Sequence, residues 1–447
     1  MATVASLANL TTGAAPGAGF PATGTAPTAR INTIANLLDT CTASTTGSAC
    51  GQLFSATTLT GSIPSNTLDA ALNIVRSPGN NVVQLFTLAT ASTAFTPVLA
   101  AAPPDWTLYI TFTSSGMSEP TTLGVDSTGS IWVASYPGEN IPSVAYKFSP
   151  TGQPVFPTGI TGSGLSESYG LAIDAQDNVW ISNQVSPGVN SNQGSITELN
   201  SAGQPLSGAT GYTAGYIDYP AGISIDTNGN VWVVDNAQAH VTLLSSTGQS
   251  LSGTTGYTNL TDPSSGPTLA FPASVAVDAN HNAWVGDQGD GTLSKITSTG
   301  QITGYSCCDA PTGLAIDQAG NIWAANFFGN TVTELSSAGA VLTTTAAGGN
   351  LVQPQGIAVD GSGTVWVTSY HGTGLFQLAG SASTSPGNPV SPATGWAPDA
   401  GFVGVYSIAI DAAGNLWVSN FFANSLTEIV GLAAPVKTPQ IGPAQTP

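Results

Sequence analysis

One phrase recurs seven times through the later part of this chain, and it constrains the fold more tightly than any other feature of the sequence. The copies read LGVDSTGSIWVAS from Leu123, LAIDAQDNVWISN from Leu171, ISIDTNGNVWVVD from Ile223, VAVDANHNAWVGD from Val275, LAIDQAGNIWAAN from Leu314, IAVDGSGTVWVTS from Ile357 and IAIDAAGNLWVSN from Ile408. In each, an Asp (Asp126, Asp174, Asp226, Asp278, Asp317, Asp360, Asp411) precedes a Trp by six residues, and successive Asp residues lie 39 to 52 positions apart. A unit of that length cannot bury an apolar face alone and must stack on its neighbours, and the period suits a four-stranded blade.

The phrase itself is a β-hairpin: an apolar alternating strand, a polar turn with Gly, then a second alternating strand carrying the Trp. A third strand follows, as in Ser195–Leu199, Thr331–Leu335 and Ser425–Ile429, and a looser Gly-rich segment supplies the fourth. The Trp residues are expected to pack between blades, because large aromatics dominate cores. The last copy ends after its third strand, where the chain turns Pro-rich, and the alternating run Trp106 to Thr113 precedes the first copy with no earlier blade to join. That run is expected to complete the last blade and so remove an exposed sheet edge. The fold class is therefore all-β: a seven-bladed β-propeller of four-stranded antiparallel blades.

The first hundred residues lack the repeat. Ile31, Ile34, Leu37 and Leu38, then Leu68, Ala71, Leu72 and Val75, recur at helical spacing, which predicts a small N-terminal α-helical domain of two or three helices. Ser65 or Asn66 can cap the second helix, Pro78-Gly79 ends it, and Val82, Leu85 and Phe86 suggest a third. Cys41 and Cys50 bracket a Ser/Thr/Gly loop, where a disulfide would compensate for a small core. The expected organisation is a flexible linker over 1–30 following a removed signal, the helical domain over 31–104, the propeller over 105–430 and a Pro-rich tail over 431–447.

Composition narrows the partners. Lys and Arg number only five in 447 residues and the net charge is -19, so no basic patch exists to neutralise phosphates and nucleic acid is excluded as a partner. The same shortage argues against docking on anionic membranes, and no run of apolar residues is long enough to span a bilayer. The four Cys fall as Cys41 with Cys50 and Cys307 with Cys308, a spacing that suits disulfides in a secreted or cell-surface protein better than a metal site.

In these residues the chain resembles the NHL-repeat propellers and, within them, the streptogramin (virginiamycin B) lyase-like group, whose blades read roughly P-x-G-I-A-V-D-x-x-G-N-I-W. The match runs over about 106 to 430, and Pro354 to Asp360 and Pro311 to Asp317 carry it most fully. The N-terminal segment more weakly resembles the leader domain of large secreted bacterial proteins. The resemblance implies a lyase using His and Glu with a divalent metal at the ring mouth, a His commonly standing between the Pro and Gly that open a blade. Here those positions hold Thr121, Tyr169, Ala221, Ala273, Thr312, Gln355 and Tyr406, and the whole chain has three His. None of the seven can replace His as proton shuttle or metal ligand. The amidating lyases of similar fold are set aside on the same ground.

The remaining candidates lie in turns. Asp226 to Asn230 and Asp278 to Asn282 resemble the start of a calcium loop, but no Glu closes either, and Asx turns explain them as well. Loops at the opposite face carry Asn183-Gln184, Asp235-Asn236, Asp287-Gln288, Asp290, Tyr370-His371 and the pairs Phe327-Phe328 and Phe421-Phe422. Asp235, Asp287 and Asp290, with His371, are candidates for metal ligation or acid-base catalysis, against the plainer reading that they cap loops. Phe327, Phe328, Tyr370, Phe421 and Phe422 are candidates for ligand stacking, against packing on one another. Cys307-Cys308, as a vicinal disulfide, would make a rigid turn able to touch a ligand at the mouth.

The leading expectation is a non-catalytic binding or scaffold protein that recognises a glycan, peptide or small molecule. The alternatives are a divergent metal-dependent lyase or hydrolase and a structural or adhesive surface module. A divalent metal is compatible with the sequence, and no organic cofactor is expected.

Overall fold

Each copy of the repeat folds as the inner two strands of a blade. The inner strands are Pro120–Val125, Ser168–Ile173, Pro220–Ile225, Pro272–Val277, Pro311–Ile316, Pro354–Val359 and Val405–Ile410, and each pairs antiparallel with the Trp-bearing strand that follows it. The computed structural model describes residues 6–9, 11–138, 141–185, 193–258 and 269–447. Every residue of every second strand is buried, so the sequence alternation of these strands does not mark an inside and an outside. The physical reason is that each blade is covered by a neighbour on both faces.

The recurrent Asp holds the hairpin. One oxygen of Asp317 accepts the backbone N–H groups of Ala319 and Asn321, both at 2.9 Å, and the other accepts Trp323 Nε1 at 3.1 Å. The same Asp-to-indole bond recurs at Trp132, Trp180, Trp284, Trp366 and Trp417, at 3.0 to 3.3 Å. A buried indole N–H needs an acceptor, and a turn carboxylate needs donors, so one residue meets both requirements. The third residue after the Asp adopts a left-handed backbone, which explains Gly129, Gly229, Gly320, Gly363 and Gly414. Asp177 and His281 adopt it without Gly. Both face the preceding blade's turn: Asp177 accepts Ser127 N–H at 2.8 Å, and His281 lies 3.6 Å from Asp226.

The seven Trp residues are fully buried, each in a cluster with the next blade's strands. Trp417 packs with Leu123 and Val125 of the first blade, and the last inner strand contacts the first, so the ring closes. Closure is also made by hydrogen bonds, since Tyr109–Phe112 pairs antiparallel with Ser425–Ile429 as the last blade's fourth strand. Gly24–Thr25 adds a further strand outside it, within the segment read from sequence as a linker. Complete fourth strands occur at Ile302–Ser306 and Val341–Thr345. In four other blades the fourth strand is reduced to isolated bridges, three of them at Pro154, Pro205 and Pro389, which have no N–H to donate to a ladder.

Among the described residues, four complete helices precede the ring: α1 (Thr28–Thr42), α2 (Ser48–Ala56), α3 (Thr67–Arg76) and α4 (Val82–Ala89). Asn66 caps α3 by accepting Asp69 N–H at 2.9 Å. The helix α2 occupies the end of the stretch read as a loop, and Cys50 within it is bonded to Cys41. Its composition is Ser-, Gly- and Cys-rich and it buries only Leu53 and Ala56, which left little periodic signal. Leu37, Leu53, Ala70, Ile74 and Leu85 form its shared core, which also takes Trp106 from the entry to the ring. Arg30 joins the two units, donating to Thr107 O and Asp399, both at 2.5 Å.

The tail returns across the side of the Asp turns. Ala433 N–H donates to Gly414 O, Ala434 N–H to the Asp360 carboxylate and Ala444 N–H to Ile316 O, at 3.0 to 3.3 Å, and Val436 and Ala444 are buried. Thr438, Pro439, Gln440 and Gly442 face Val125, Ile173, Ile225 and Val277 across the lower opening of the ring. The lower end of the channel is thereby strapped, and the upper end is left open.

Because Asp317 satisfies two turn donors and one buried indole, Asp317→Ala is expected to cost about 2–4 kcal/mol of unfolding free energy. Urea denaturation checks this, and a loss under 0.5 kcal/mol, the range of an ordinary surface change, would contradict the role.

Candidate functional site

At the upper end of the ring, every inner strand breaks register with its partner between the first residue and the third or fourth, for example between Pro311 and Gly313 and between Val405 and Ile408. Such bulges re-aim side chains at a barrel or ring rim. Here Tyr169, Ala273, Thr312, Gln355 and Tyr406 of the blade openings come to the axis, whereas Thr121 and Ala221 are buried within the ring wall. A cavity of about 390 Å³ results, lined from all seven blades by residues that include Tyr169, Ser274, Thr312, Gln355 and Tyr406, with Gln288, Phe327 and Tyr370 from the loops above. Leu171, Ile223, Leu314, Ile357 and Ile408 form its floor.

The aromatic residues form a continuous arc. Tyr169 meets Tyr406 edge-on at 5.7 Å between ring centres, Tyr406 meets Tyr370 at 6.2 Å, and Tyr370 meets Phe327 at 6.0 Å. Phe421 stacks on Tyr406 at 5.7 Å, while Phe328 and Phe422 extend the arc onto the exposed rim. The Tyr406 hydroxyl donates to the Tyr169 hydroxyl. Burial pushes both phenols up, most strongly Tyr406, where the neighbouring Tyr169 adds to the effect. Both stay neutral near pH 7 and act as hydrogen-bonding groups, not as bases. Ser274 lines the cavity, but its hydroxyl is buried without a hydrogen-bond partner.

The acidic candidates occupy different positions. Asp235 is buried and accepts the backbone N–H groups of Asp218, Tyr219 and Gln238 at 2.5, 3.0 and 3.2 Å. Asp287 is buried under Ser294 Oγ at 2.6 Å and Thr292 Oγ1 at 3.3 Å, and Thr292 Oγ1 also donates to Asp290 at 2.7 Å. The three carboxylates are thus each engaged within their own blade and its loops. Among the described residues no group of three or more His, Cys, Asp or Glu side chains that could hold a metal ion is present. His371 is exposed, packs on Tyr370 and pairs with Gln353. Asp226 and Asp278, considered for calcium, are occupied by their own turn N–H groups and by Asn230 and Asn282 side chains, with His281 and Lys295 nearby.

Cys307 and Cys308 form a vicinal disulfide that packs against the core beside Tyr305 and Leu314 and is not part of the cavity lining. Tyr169, Gln355 and Tyr406 are the residues that sequence reasoning passed over. They were recognised only as positions lacking His, although their shared place at the opening of a blade was the signal that they face the axis.

No protein-family model matches the chain, and no curated protein matches it. Among solved structures, a streptogramin B lyase superposes with a TM-score of 0.53 and 15% identity over 72% of this chain and 96% of that one. A catalytically inactive variant of virginiamycin B lyase from Staphylococcus aureus, determined with quinupristin, gives 0.54 and 15% over 72% and 98%. The fold is that of the streptogramin B lyase propellers. At this identity the likeness concerns the fold alone.

Within this propeller, the residue ending the second strand makes a recurring contact with hydroxyls of the third. Asn183, Asn326 and Asn420 donate through Nδ2 to Thr197, Thr333 and Thr427 at 2.9 to 3.0 Å, and Asp287 takes the same place. Burial drives the Asp287 carboxyl well above its usual range, with the charge of Asp290 adding to it against the Ser294 and Thr292 hydrogen bonds. A raised folded-state value means that the folded protein binds the proton more tightly, so stability falls as pH rises from the ordinary carboxyl range through the folded value. Asp287→Asn is therefore expected to stabilise the fold by about 1 kcal/mol at pH 7, with the gain vanishing below the ordinary carboxyl range. Urea titrations of both proteins at neutral and acid pH test this. A loss of stability at neutral pH would mean that the carboxylate itself is needed.

Proposed function

We propose that the protein is a ligand-binding propeller whose site is the upper mouth of the ring. The observation that carries this reading is the cavity assembled from all seven blades with an arc of Tyr169, Phe327, Tyr370 and Tyr406 beside the amides of Gln288 and Gln355. A concave cavity that sets aromatic rings beside convergent polar groups is the usual place for a small-molecule site. Aromatic rings supply contact area at low entropy cost, and the amides and phenols fix orientation through hydrogen bonds. A small molecule, a glycan or a short peptide end fits the volume.

The two disulfides support export to an oxidising compartment. A catalytic role through Asp235, Asp287, Asp290 and His371 finds less support, because the two buried carboxylates are engaged in holding loops and strands and are not presented to the cavity.

A thermal-shift screen with neutral oligosaccharides, short peptides and small amines identifies a ligand by the rise in Tm. Tyr370→Ala and Tyr406→Leu are each expected to weaken that ligand about tenfold or more, as loss of a central aromatic contact does. Undiminished affinity in both variants would place the site elsewhere.

A further inference from the structure

Resting on the reading of the mouth as the binding site, we infer that it selects a ligand carrying a protonated or quaternary amine. Two independent features of the mouth lead to this class. The first is the orientation of the rings. Tyr169 and Tyr406 are inclined at 88°, Tyr370 and Tyr406 at 77°, and Tyr370 and Phe327 at 52°. Rings at steep mutual angles make walls round a compact group instead of one flat platform for a sugar or a planar heterocycle. Aromatic faces carry negative quadrupole potential, and a compact cation is attracted by several such faces at once.

The second feature is charge. The five basic residues all lie away from the cavity. Arg30 is buried on Asp399, Arg76 ends α3, Lys147 and Lys295 lie over Trp132 and Trp284 beside the turn carboxylates, and Lys437 belongs to the lower strap. The loops on the mouth side carry Glu119, Asp218, Asp290 and Asp309 instead. Glu119 opens the first blade on this side, its backbone N–H held by Asn424 at 2.7 Å, and its charge adds to the field at Tyr370. With no local cation and a net charge of -19, the field repels carboxylates, phosphates and sulfates and draws cations to the ring. Within the cavity the phenol oxygens of Tyr169 and Tyr406 and the Gln355 side-chain carbonyl offer acceptors to an amine N–H.

The test compares choline with its uncharged isostere 3,3-dimethyl-1-butanol on the full chain, followed by NMR of ring-labelled tyrosine. Tyr169, Tyr370 and Tyr406 resonances are assigned through single Phe substitutions. Choline is expected to shift these signals and to bind about tenfold tighter than the isostere, a preference of the size that desolvated cation–π contacts give. Its affinity is expected to fall as salt is raised, and Glu119→Gln is expected to weaken it a few-fold with the isostere unaffected. Equal or tighter binding of the isostere, or of a neutral saccharide in the same titration, would overturn the cation preference while leaving the mouth as the ligand site. If neither probe nor any ligand from the screen shifts the three tyrosines, the inference and the reading of the mouth both fail.

Discussion

The Asp-to-indole hydrogen bond, present across six of the seven inner hairpins, is the interaction on which the rest of the structure depends. It closes a tight turn, satisfies a buried indole and fixes the Trp between two blades, so one pair of residues sets the hairpin and its stacking together. At the third blade the bond is missing: Trp232 Nε1 is buried without a partner, and Asp226 instead faces His281 of the next turn. The ring therefore tolerates one blade held by packing and turn hydrogen bonds alone. In the first and fourth blades a lysine lies over the Trp ring, at 4.7 and 5.0 Å, and reaches the same Asp. The few basic residues in this acidic chain thus serve the scaffold.

This tether separates the two ends of the ring. At the lower end the turns are built on the fixed Asp, and the tail passes over the opening with Val436 and Ala444 buried. At the upper end the bulged openings of five blades bring a side chain to the axis, and there the residues vary: Tyr169, Ala273, Thr312, Gln355 and Tyr406. A ring of backbone and hydrogen bonds that repeats and a mouth that does not is the arrangement expected when function lies in residues grafted onto a shared scaffold. The burial that raises the Tyr169 and Tyr406 phenols keeps them neutral, which suits recognition better than proton abstraction.

The parts of the fold legible in sequence were those with periodic chemistry. The Asp-to-Trp spacing revealed the blades, the alternation from Trp106 to Thr113 revealed closure, and Asn66 marked a helix start that the structure shows capped. The parts that were not legible depend on partners distant in the chain. The tail could be read as unable to continue a sheet, but nothing local said that Ala444 would meet Ile316. Asp235, Asp287 and Asp290 looked like a convergent set because they come from adjacent blades, whereas their donors lie in their own loops and strands. Phe327, Tyr370 and Phe421 were legible as an aromatic face, but the depth of the site was not. It is supplied by Tyr169 and Tyr406, whose position at a blade opening was visible in the sequence but whose inward turn follows from the bulges there.

The most direct test of the central claim, that the upper mouth is where this propeller meets its ligand, is solvent mapping. Crystals would be soaked separately in several small organic probes, and the positions where different probes coincide would be located. The account expects them to gather in the cavity between Tyr169, Tyr370 and Tyr406. Coincidence instead over the exposed Leu68 and Leu72 of the helical domain, with the mouth left to water, would contradict it.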